Sequence, residues 1–234
     1  TAAKEGLNGM EELVEGLKKA MFEDPVEDTR CVLHCEMKNE GFKTASKVQY
    51  VARVGNFIDN GADYTGALQI LKVILSYDYL WQNVRVKGGA YGCMSGFSRT
   101  GDGYFVSYRD PNLERTMEVY EGIADYLRNF TVSDRDMNKY IIGTMSNIDQ
   151  PMTPSAKGDR SFNLYMNKVS AETIKKERLQ ILEAGQEDIR KLADVVEAVM
   201  KAEQVCVIGS EEKIEEAKDM FKNCLLYTSP SPRD

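Results

Sequence analysis

Residues 64–80 constrain the fold of this chain more than any other segment, because they are apolar around nearly the whole circumference of a helix. Gln69, Lys72 and Ser76 form a narrow polar stripe. A helix of this kind is buried on most of its surface. The sequence therefore predicts a long helix packed against a sheet.

Strand and helix signals alternate along the rest of the chain and predict an α+β fold. Apolar and alternating runs predict strands at residues 30–37, 47–57, 90–97, 104–108 and 203–209. Helical periodicity predicts helices at residues 9–22, 154–169, 171–182 and 188–201. Further helix starts are expected at three capping residues, Asp110, Ser133 and Ser210.

The charge balance narrows the set of partners. There are 30 basic and 37 acidic residues, a net charge of −7, whereas a nucleic-acid-binding surface needs a basic stripe, so we expect no nucleic-acid partner. No run reaches the ~20 apolar residues of a membrane span, so we expect no membrane partner.

Scattered cysteines suit a reducing compartment. This predicts a cytoplasmic protein if the source is bacterial, with an organellar matrix as the alternative if it is eukaryotic.

The octapeptide from Arg85 to Gly92, Arg-Val-Lys-Gly-Gly-Ala-Tyr-Gly, carries the strongest chemical signal. On a straight strand Arg85 and Tyr91 would share a face but lie roughly 20 Å apart. Gly88 and Gly89 can bend the chain and bring the two side chains together. A guanidinium and a phenol both donate hydrogen bonds, which suits a peptide carbonyl and the oxyanion that forms from it. The other interpretation is an ordinary strand with a glycine bulge.

Together with residues 107–113 (Ser-Tyr-Arg-Asp-Pro-Asn-Leu) and 149–155 (Asp-Gln-Pro-Met-Thr-Pro-Ser), this octapeptide resembles the C-terminal half of the pitrilysin and insulinase family of inverted-zinc metallopeptidases, in its presequence protease branch. The resemblance implies two halves of similar fold that close around a peptide. Each half would be an antiparallel or mixed sheet with helices on one face. The N-terminal half carries H-x-x-E-H, and the C-terminal half contributes an Arg/Tyr pair.

The resemblance also implies roles for particular residues. Tyr91 is expected to hold the carbonyl oxygen of the substrate, and Arg85 to assist it or to anchor the substrate backbone, so both are assigned catalytic contacts. Substrate-binding contacts are expected from the residues around the bend, Gly88, Gly89, Ala90 and Gly92. The glycines would allow close approach, and the N–H of Ala90 would pair with an extended substrate as a strand edge.

No zinc ligand is expected in this chain, although the full-length enzyme is expected to hold zinc. The chain has one histidine, His34, and H-x-x-E-H needs two with a glutamate between them. In the catalytic half, the helix that corresponds to residues 64–80 would carry the zinc ligands. In this chain, residues 64–80 contain no His and no Glu. Cys31, His34 and Cys35 remain an alternative if their segment is helical, because an i, i+4 pair can chelate; as a strand, residues 31 and 35 lie ~13 Å apart.

Three domains are expected along the chain. Residues 1–28 would be a linker helix or the end of a preceding domain, and residues 29–223 the C-terminal insulinase-like domain. Residues 224–234 lose the helical register and resemble a translated sequencing adapter, so we expect a non-native tail. This tail should pack poorly, since Ser-Pro-Ser-Pro cannot build a ladder or a helix.

The sequence therefore predicts the non-zinc half of a metalloendopeptidase, a hydrolase that degrades short unstructured peptides such as presequences. Its partners would be those peptides and the N-terminal catalytic half, and the chain alone is expected to be inactive. One alternative is a structural or interaction subunit of the same fold, like the core proteins of respiratory complexes. A second is an unrelated α+β binding domain. An upstream H-x-x-E-H would discriminate the peptidase from the first alternative.

Overall fold

The computed structural model describes residues 7–21 and 38–226 of the chain. The predicted strand at residues 30–37 and the candidate ligands Cys31, His34 and Cys35 lie outside the described residues, as do residues 227–234. The chain divides into two compact units. The first is drawn from Thr1–Glu36 and Gln150–Thr173, and the second from Met37–Asp149 and Ile174–Asp234.

The described residues contain nine α-helices. Their bounds are α1 (Met10–Ala20), α2 (Ala67–Ile74), α3 (Glu114–Glu121), α4 (Ile123–Arg128), α5 (Asp134–Ile148), α6 (Pro154–Met166), α7 (Ala171–Leu182), α8 (Gln186–Met200) and α9 (Glu211–Glu216). Within the described residues, none of the helices combines the length and the apolar character that crossing a membrane requires. Two of the expected caps are present, because Ser133 accepts from the N–H of Asp136 and Ser210 accepts from the N–H of Lys213.

The first unit contains α1, α6 and the beginning of α7. Every described side chain of α1 is exposed, including the apolar stripe of Met10, Val14 and Leu17. In α6 the hydroxyl of Thr153 caps the N-terminus by accepting from the N–H of Ala156 at 3.2 Å. Both helices therefore match the sequence pattern, but neither buries a residue of its own.

The second unit is built on a six-stranded mixed sheet in the order β3-β4-β2-β5-β1-β6. The strands are β1 (Glu40–Thr44), β2 (Gln49–Asn56), β3 (Gly92–Phe97), β4 (Asp102–Asp110), β5 (Gln204–Ser210) and β6 (Asn223–Leu226). β1 runs parallel to β5 and β6, and the other pairs are antiparallel. The predicted α+β class and mixed sheet are confirmed.

The helices of the second unit cover one face of this sheet. Val51, Phe105 and Val207 point from three strands into the core, where they meet the buried residues of α2 and α8. Six of the eight residues of α2 are buried, as its all-round apolar pattern predicts. Beyond α2 the chain stays helical in wider π turns, at Leu75–Tyr79 and Trp81–Val86, so the helix ends after the predicted residue 80.

The opposite face of the sheet is apolar and, among the residues described in this unit, no helix lies over it. Tyr50, Met94 and Ile208 stand on it with 40% or more of their surface exposed (50%, 45% and 40%). With Tyr108 they line a groove of about 420 Å³. The surface of a soluble protein usually mixes polar and apolar side chains, and a contiguous apolar patch often marks a binding site. This face is therefore a candidate contact surface.

Several expectations are wrong at the level of single elements. Asp110 does not cap a helix; it ends β4 and accepts from the N–H of Asn112, while α3 begins only at Glu114. β1 was not predicted at all. Cys224 at the start of the expected tail lies in β6, opposite Gly41 of β1, so this part of residues 224–234 does build a ladder.

We expect Leu71→Ala to lower the free energy of unfolding of this chain by about 2–5 kcal/mol, because the side chain is buried and its removal leaves a cavity. Leu182→Ala removes the same atoms from a residue that is 52% exposed and should change stability by no more than about 0.5 kcal/mol. Urea unfolding of both variants measures the difference. Equal losses would contradict the placement of α2 in the core.

Candidate functional site: the Arg85–Tyr91 turn

Arg85 lies in the last π turn of the long helix, not on a strand as its spacing from Tyr91 suggested. A π turn bonds residue i to i+5, and here the N–H of Lys87 donates to the carbonyl of Gln82 at 3.0 Å. The guanidinium of Arg85 stacks on the ring of Trp81, with its carbon 4.3 Å from the ring centre. This cation–π contact fixes the direction of a side chain that is otherwise half-exposed.

Gly88 and Gly89 end the helix and reverse the chain. Gly89 has a φ of +82°, in the left-handed region, and its N–H donates to the carbonyl of Arg85 at 2.8 Å. The N–H of Ala90 donates to the carbonyl of Val84 at 3.2 Å. The predicted bend is therefore present, and it leaves the guanidinium carbon of Arg85 5.8 Å from the centre of the Tyr91 ring.

Tyr91 is presented to solvent at this bend, with 58% of its surface exposed. Its ring meets the edge of the Tyr108 ring at 5.6 Å, and the guanidinium carbon of Arg109 lies 5.6 Å from its centre. The backbone is held too, because the N–H of Tyr91 donates to the carbonyl of Arg109 at 3.3 Å. The phenol is thus oriented from three sides.

The residues predicted for substrate binding also make close contacts or hydrogen bonds within the chain. A Cβ on Gly92 would lie 2.4 Å from the ring of Tyr108, so this glycine makes room for the ring. A Cβ on Gly88 would lie 2.3 Å from the carbonyl oxygen of Val84. The N–H of Ala90 donates to the carbonyl of Val84 within the chain, so it would have to give up this bond to pair with a substrate strand, and that pairing stays a prediction.

The buried side chain of Asp110 stabilises the Gly88–Gly89 turn through hydrogen bonds. Asp110 is fully buried and accepts from the hydroxyl of Thr116 at 2.7 Å and from the N–H of Asn112 at 2.9 Å. The side-chain amide of Asn112 in turn donates to the carbonyl of Gly88. The segment after β4 therefore fixes the position of the glycine turn through one chain of hydrogen bonds.

Sequence reasoning did not find Arg109 and Trp81. Arg109 was visible only as part of the Ser-Tyr-Arg-Asp-Pro stretch that carried the resemblance. Nothing in that pattern indicates that its backbone adopts a φ of +48°. Trp81 could have been found from its spacing, since residues i and i+4 are neighbours on a helix.

The chemistry of the turn comes from donors, with no thiolate and no metal cluster. Burial raises the pKa of the Cys93 thiol to about 11, while the charge of Arg85 acts in the opposite direction. Cys93 is therefore a neutral thiol at pH ~7, which is neither a nucleophile nor a ready zinc ligand. Across residues 7–21 and 38–226, no three His, Cys, Asp or Glu side chains are placed to hold a metal ion.

The fold of this chain has counterparts among solved structures. Its architecture is that of half of an M16-type peptidase, as in the peptidase M16 inactive domain from Pseudomonas fluorescens. That structure matches with a TM-score of 0.55 and 15% identity, over 95% of this chain and 52% of that chain. At such low identity the likeness concerns the fold alone.

Residues 39–212 match the family model of the PreP C-terminal domain, and the chain belongs to that family. It is 48% identical over 186 residues to Protein HypA of Clostridium perfringens. It is 32% identical over 188 residues to presequence protease 1, chloroplastic/mitochondrial, of Arabidopsis thaliana. Each alignment covers 80% of this chain but only 19% and 17% of the relatives' own lengths. The predicted resemblance to the presequence protease branch is confirmed.

We expect Gly92→Ala to lower the free energy of unfolding by about 1–3 kcal/mol, because the new methyl group collides with the Tyr108 ring. Gly143→Ala is the matched control. Its Cβ would meet Val73 at an ordinary 3.8 Å, and within α5 it should stabilise the chain by ~0.5–1 kcal/mol. Thermal or urea unfolding checks both, and an unchanged Gly92→Ala chain would contradict the ring placement.

The raised pKa of Cys93 predicts slow alkylation of this thiol in the folded chain. The pKa of Cys93 is about 11 in the folded chain, against an ordinary value of 9.0. At a pH between these two values the folded thiol keeps its proton while the unfolded thiol loses it. Folding stability should accordingly fall as pH rises from about 9 towards about 11. Mass-spectrometric labelling with iodoacetamide at pH ~8, with the urea-unfolded chain as control, measures the rate. Equal rates in both states would contradict this environment.

Proposed function

We propose that the chain is the C-terminal, non-zinc half of a zinc metalloendopeptidase that degrades peptides. The observation that carries this proposal is the exposed phenol of Tyr91 with the Arg85 guanidinium carbon 5.8 Å from its ring. Both side chains donate hydrogen bonds, and both project from a turn held by backbone hydrogen bonds. Such a pair is suited to a carbonyl oxygen that gains negative charge during hydrolysis.

In this proposal Tyr91 donates its O–H to the oxygen of the scissile carbonyl. Arg85 supports that oxygen or holds the neighbouring substrate backbone. Zinc on the N-terminal half would supply an activated water when bound. The chain's own contribution is therefore to orient the peptide and to stabilise the developing oxyanion. These donors are positioned before substrate arrives, so little reorganisation accompanies the reaction.

The uncovered face of the sheet offers a surface for the rest of the peptide. The groove of about 420 Å³ includes Tyr108, which touches Tyr91, and extends to Ile208. Apolar side chains of an unstructured peptide would be buried there, while an acidic chain with net charge −7 favours cationic peptides over distance. Short, unfolded peptides such as presequences fit this combination.

The same apolar face also supports a second candidate, a structural or interaction subunit without activity. A face of this kind could bind another protein permanently. The retained Arg85–Tyr91 pair has no evident use in such a subunit, and this favours the peptidase. Sequencing upstream of the chain decides between them, because only the peptidase requires H-x-x-E-H in the N-terminal half.

The cellular compartment of the protein depends on the organism from which it comes. One relative is bacterial and the other is described as chloroplastic/mitochondrial. We place the protein in the cytoplasm if it is bacterial and in an organellar matrix if it is eukaryotic.

Expressed without an N-terminal half, the chain should bind no stoichiometric zinc and cleave no peptide. Metal analysis of the purified chain tests this directly. One tightly held zinc per chain would contradict the proposal and would direct attention to Cys31, His34 and Cys35.

In the full-length enzyme we expect Tyr91→Phe to lower kcat by ~10²–10³ and to leave KM nearly unchanged, because the O–H acts mainly on the transition state. Tyr77→Phe removes the same atom from a tyrosine that is 68% exposed elsewhere on the helix and should keep wild-type kinetics. Steady-state rates on a fluorogenic peptide measure both. Wild-type kcat in a folded Tyr91→Phe enzyme would refute the role of the phenol.

Arg85→Ala should behave differently from Tyr91→Phe. A guanidinium that also holds the substrate backbone in the ground state contributes uniform binding, so its loss should raise KM as well as lower kcat. The same fluorogenic assay separates the two effects, with melting curves as the control for folding. A fall in kcat alone would restrict Arg85 to the transition state.

A further inference from the structure

Arg109 occupies a strained position that glycine would ordinarily fill. Between the pairs Gln49–Asp110 and Val51–Ser107, the two residues Tyr108 and Arg109 of β4 stand opposite the single residue Tyr50 of β2, which makes a β-bulge. Arg109 has a φ of +48° there. Left-handed backbone is unfavourable for a residue with a Cβ. Such strain persists only where the surrounding structure over-determines the conformation, and strained residues of this kind cluster at functional sites.

The bulge turns the Arg109 side chain towards Tyr91. Its guanidinium carbon lies 5.6 Å from the ring centre of Tyr91, and the Arg85 carbon lies 5.8 Å from the same point. The carbonyl of Arg109 also accepts from the N–H of Tyr91. Glycine could provide that carbonyl equally well. What arginine adds at this position is the cation.

Within the part of the second unit that the structure describes, neither guanidinium at the turn is neutralised by an ion pair. Elsewhere in the second unit Arg99 pairs with Glu177, Arg128 with Glu197 and Arg178 with Asp149. Among the described residues of this unit no carboxylate forms an ion pair with Arg85 or Arg109, and Arg109 is exposed. Two arginines that converge on one phenol, with no carboxylate partner among the described residues of this unit, leave their donors open to a ligand.

We propose that Arg109 is a specificity-determining residue that binds a carboxylate of the peptide next to the scissile bond. This inference rests on the proposed function, in which Arg85 and Tyr91 hold the carbonyl oxygen. Consecutive residues of an extended peptide are ~3.3 Å apart, so we expect a residue near the scissile carbonyl to come within reach of Arg109. A planar guanidinium binds a carboxylate through two parallel hydrogen bonds. The carboxylate can be an Asp or Glu side chain or the C-terminus of the peptide.

The single tryptophan of the chain provides a direct readout. Trp81 stacks on Arg85 and is the only tryptophan in the sequence, so its fluorescence reports on this turn. Three peptides of equal length distinguish the sources of carboxylate. One has a central Glu and an amidated C-terminus, one has Gln in place of Glu and an amidated C-terminus, and one has Gln with a free C-terminal carboxylate.

At low salt we expect the wild-type chain to bind at least one carboxylate peptide about ten-fold more tightly than the neutral peptide, as charge-assisted hydrogen bonds allow. The preference should weaken in high salt. Arg109→Gly should abolish it, and Arg109→Lys should retain part of it. Tighter binding of the Glu peptide assigns the site to an internal acidic residue, and tighter binding of the free-carboxylate peptide assigns it to the C-terminus.

A second readout separates this role from a structural one. Arg109→Gly relieves the left-handed strain, so its melting temperature should equal or exceed that of the wild type while the preference disappears. A lower melting temperature together with an unchanged preference would show a structural role and overturn the inference. Equal binding of all three peptides by the wild type, or no fluorescence change with any of them, would also overturn it.

Failure of the proposed function looks different from failure of this inference. If Tyr91→Phe keeps wild-type kcat in the full-length enzyme, the oxyanion role is lost whatever the peptide preference. If Tyr91→Phe is impaired and Arg109→Gly leaves the acidic preference intact, only the assignment of Arg109 is wrong.

Discussion

The turn at Gly88 and Gly89 is the constraint on which the candidate site depends. Two backbone hydrogen bonds, from the N–H groups of Gly89 and Ala90 to the carbonyls of Arg85 and Val84, join the end of a buried helix to the edge strand of the sheet. Val84 of the helix is buried in the core, and Cys93 and Phe97 of the strand pack against that core, so neither element can move without breaking packed contacts. The spacing of Arg85 and Tyr91 is therefore set by the packing of the whole unit.

The register of β3 and β4 places the other residues of the site. Gly92 pairs with Tyr108 and Gly96 pairs with Tyr104, and in each pair a Cβ on the glycine would meet the tyrosine ring at 2.4 or 2.5 Å. The rings of β4 thus cover the glycines of an edge strand, which otherwise lacks side chains to pack. A slip of one residue would turn both rings to the other face. Tyr108 would then lose its contact with Tyr91.

Much of the fold was predictable because local pattern and tertiary environment agree. The all-round apolar character of residues 64–80 matches a helix buried on most sides, and the alternation in residues 47–57 matches β2 with one face in the core. β1 was missed since Glu40–Thr44 offers little apolar alternation and is defined by its parallel partners β5 and β6. Asp110 was misassigned because Asp followed by Pro suits a helix cap and a turn after a strand equally well.

The site itself was predictable only where the backbone signal was strong. A Gly-Gly pair indicates a bend, and the bend implies that Arg85 and Tyr91 approach each other. The left-handed conformation of Arg109 has no such signal, because it arises from the pairing of β4 with β2 and from the buried hydrogen bonds of Asp110. The π turns that carry Trp81 and Arg85 likewise depend on the packing around the helix.

Arg85 and Arg109 are oriented by aromatic rings, and this explains how their hydrogen-bond donors can stay free on an acidic protein. A carboxylate partner would orient a guanidinium strongly, but it would occupy the donors and cancel the charge. An aromatic face orients the cation through the ring quadrupole and leaves the N–H groups at its rim free. Trp81 does this for Arg85, and the guanidinium carbons of Arg85 and Arg109 both lie within 6 Å of the centre of the Tyr91 ring, at 5.8 and 5.6 Å. Aromatic contacts thus provide the order that salt bridges provide elsewhere in this unit, and they keep the donors available for a carbonyl or a carboxylate of the peptide.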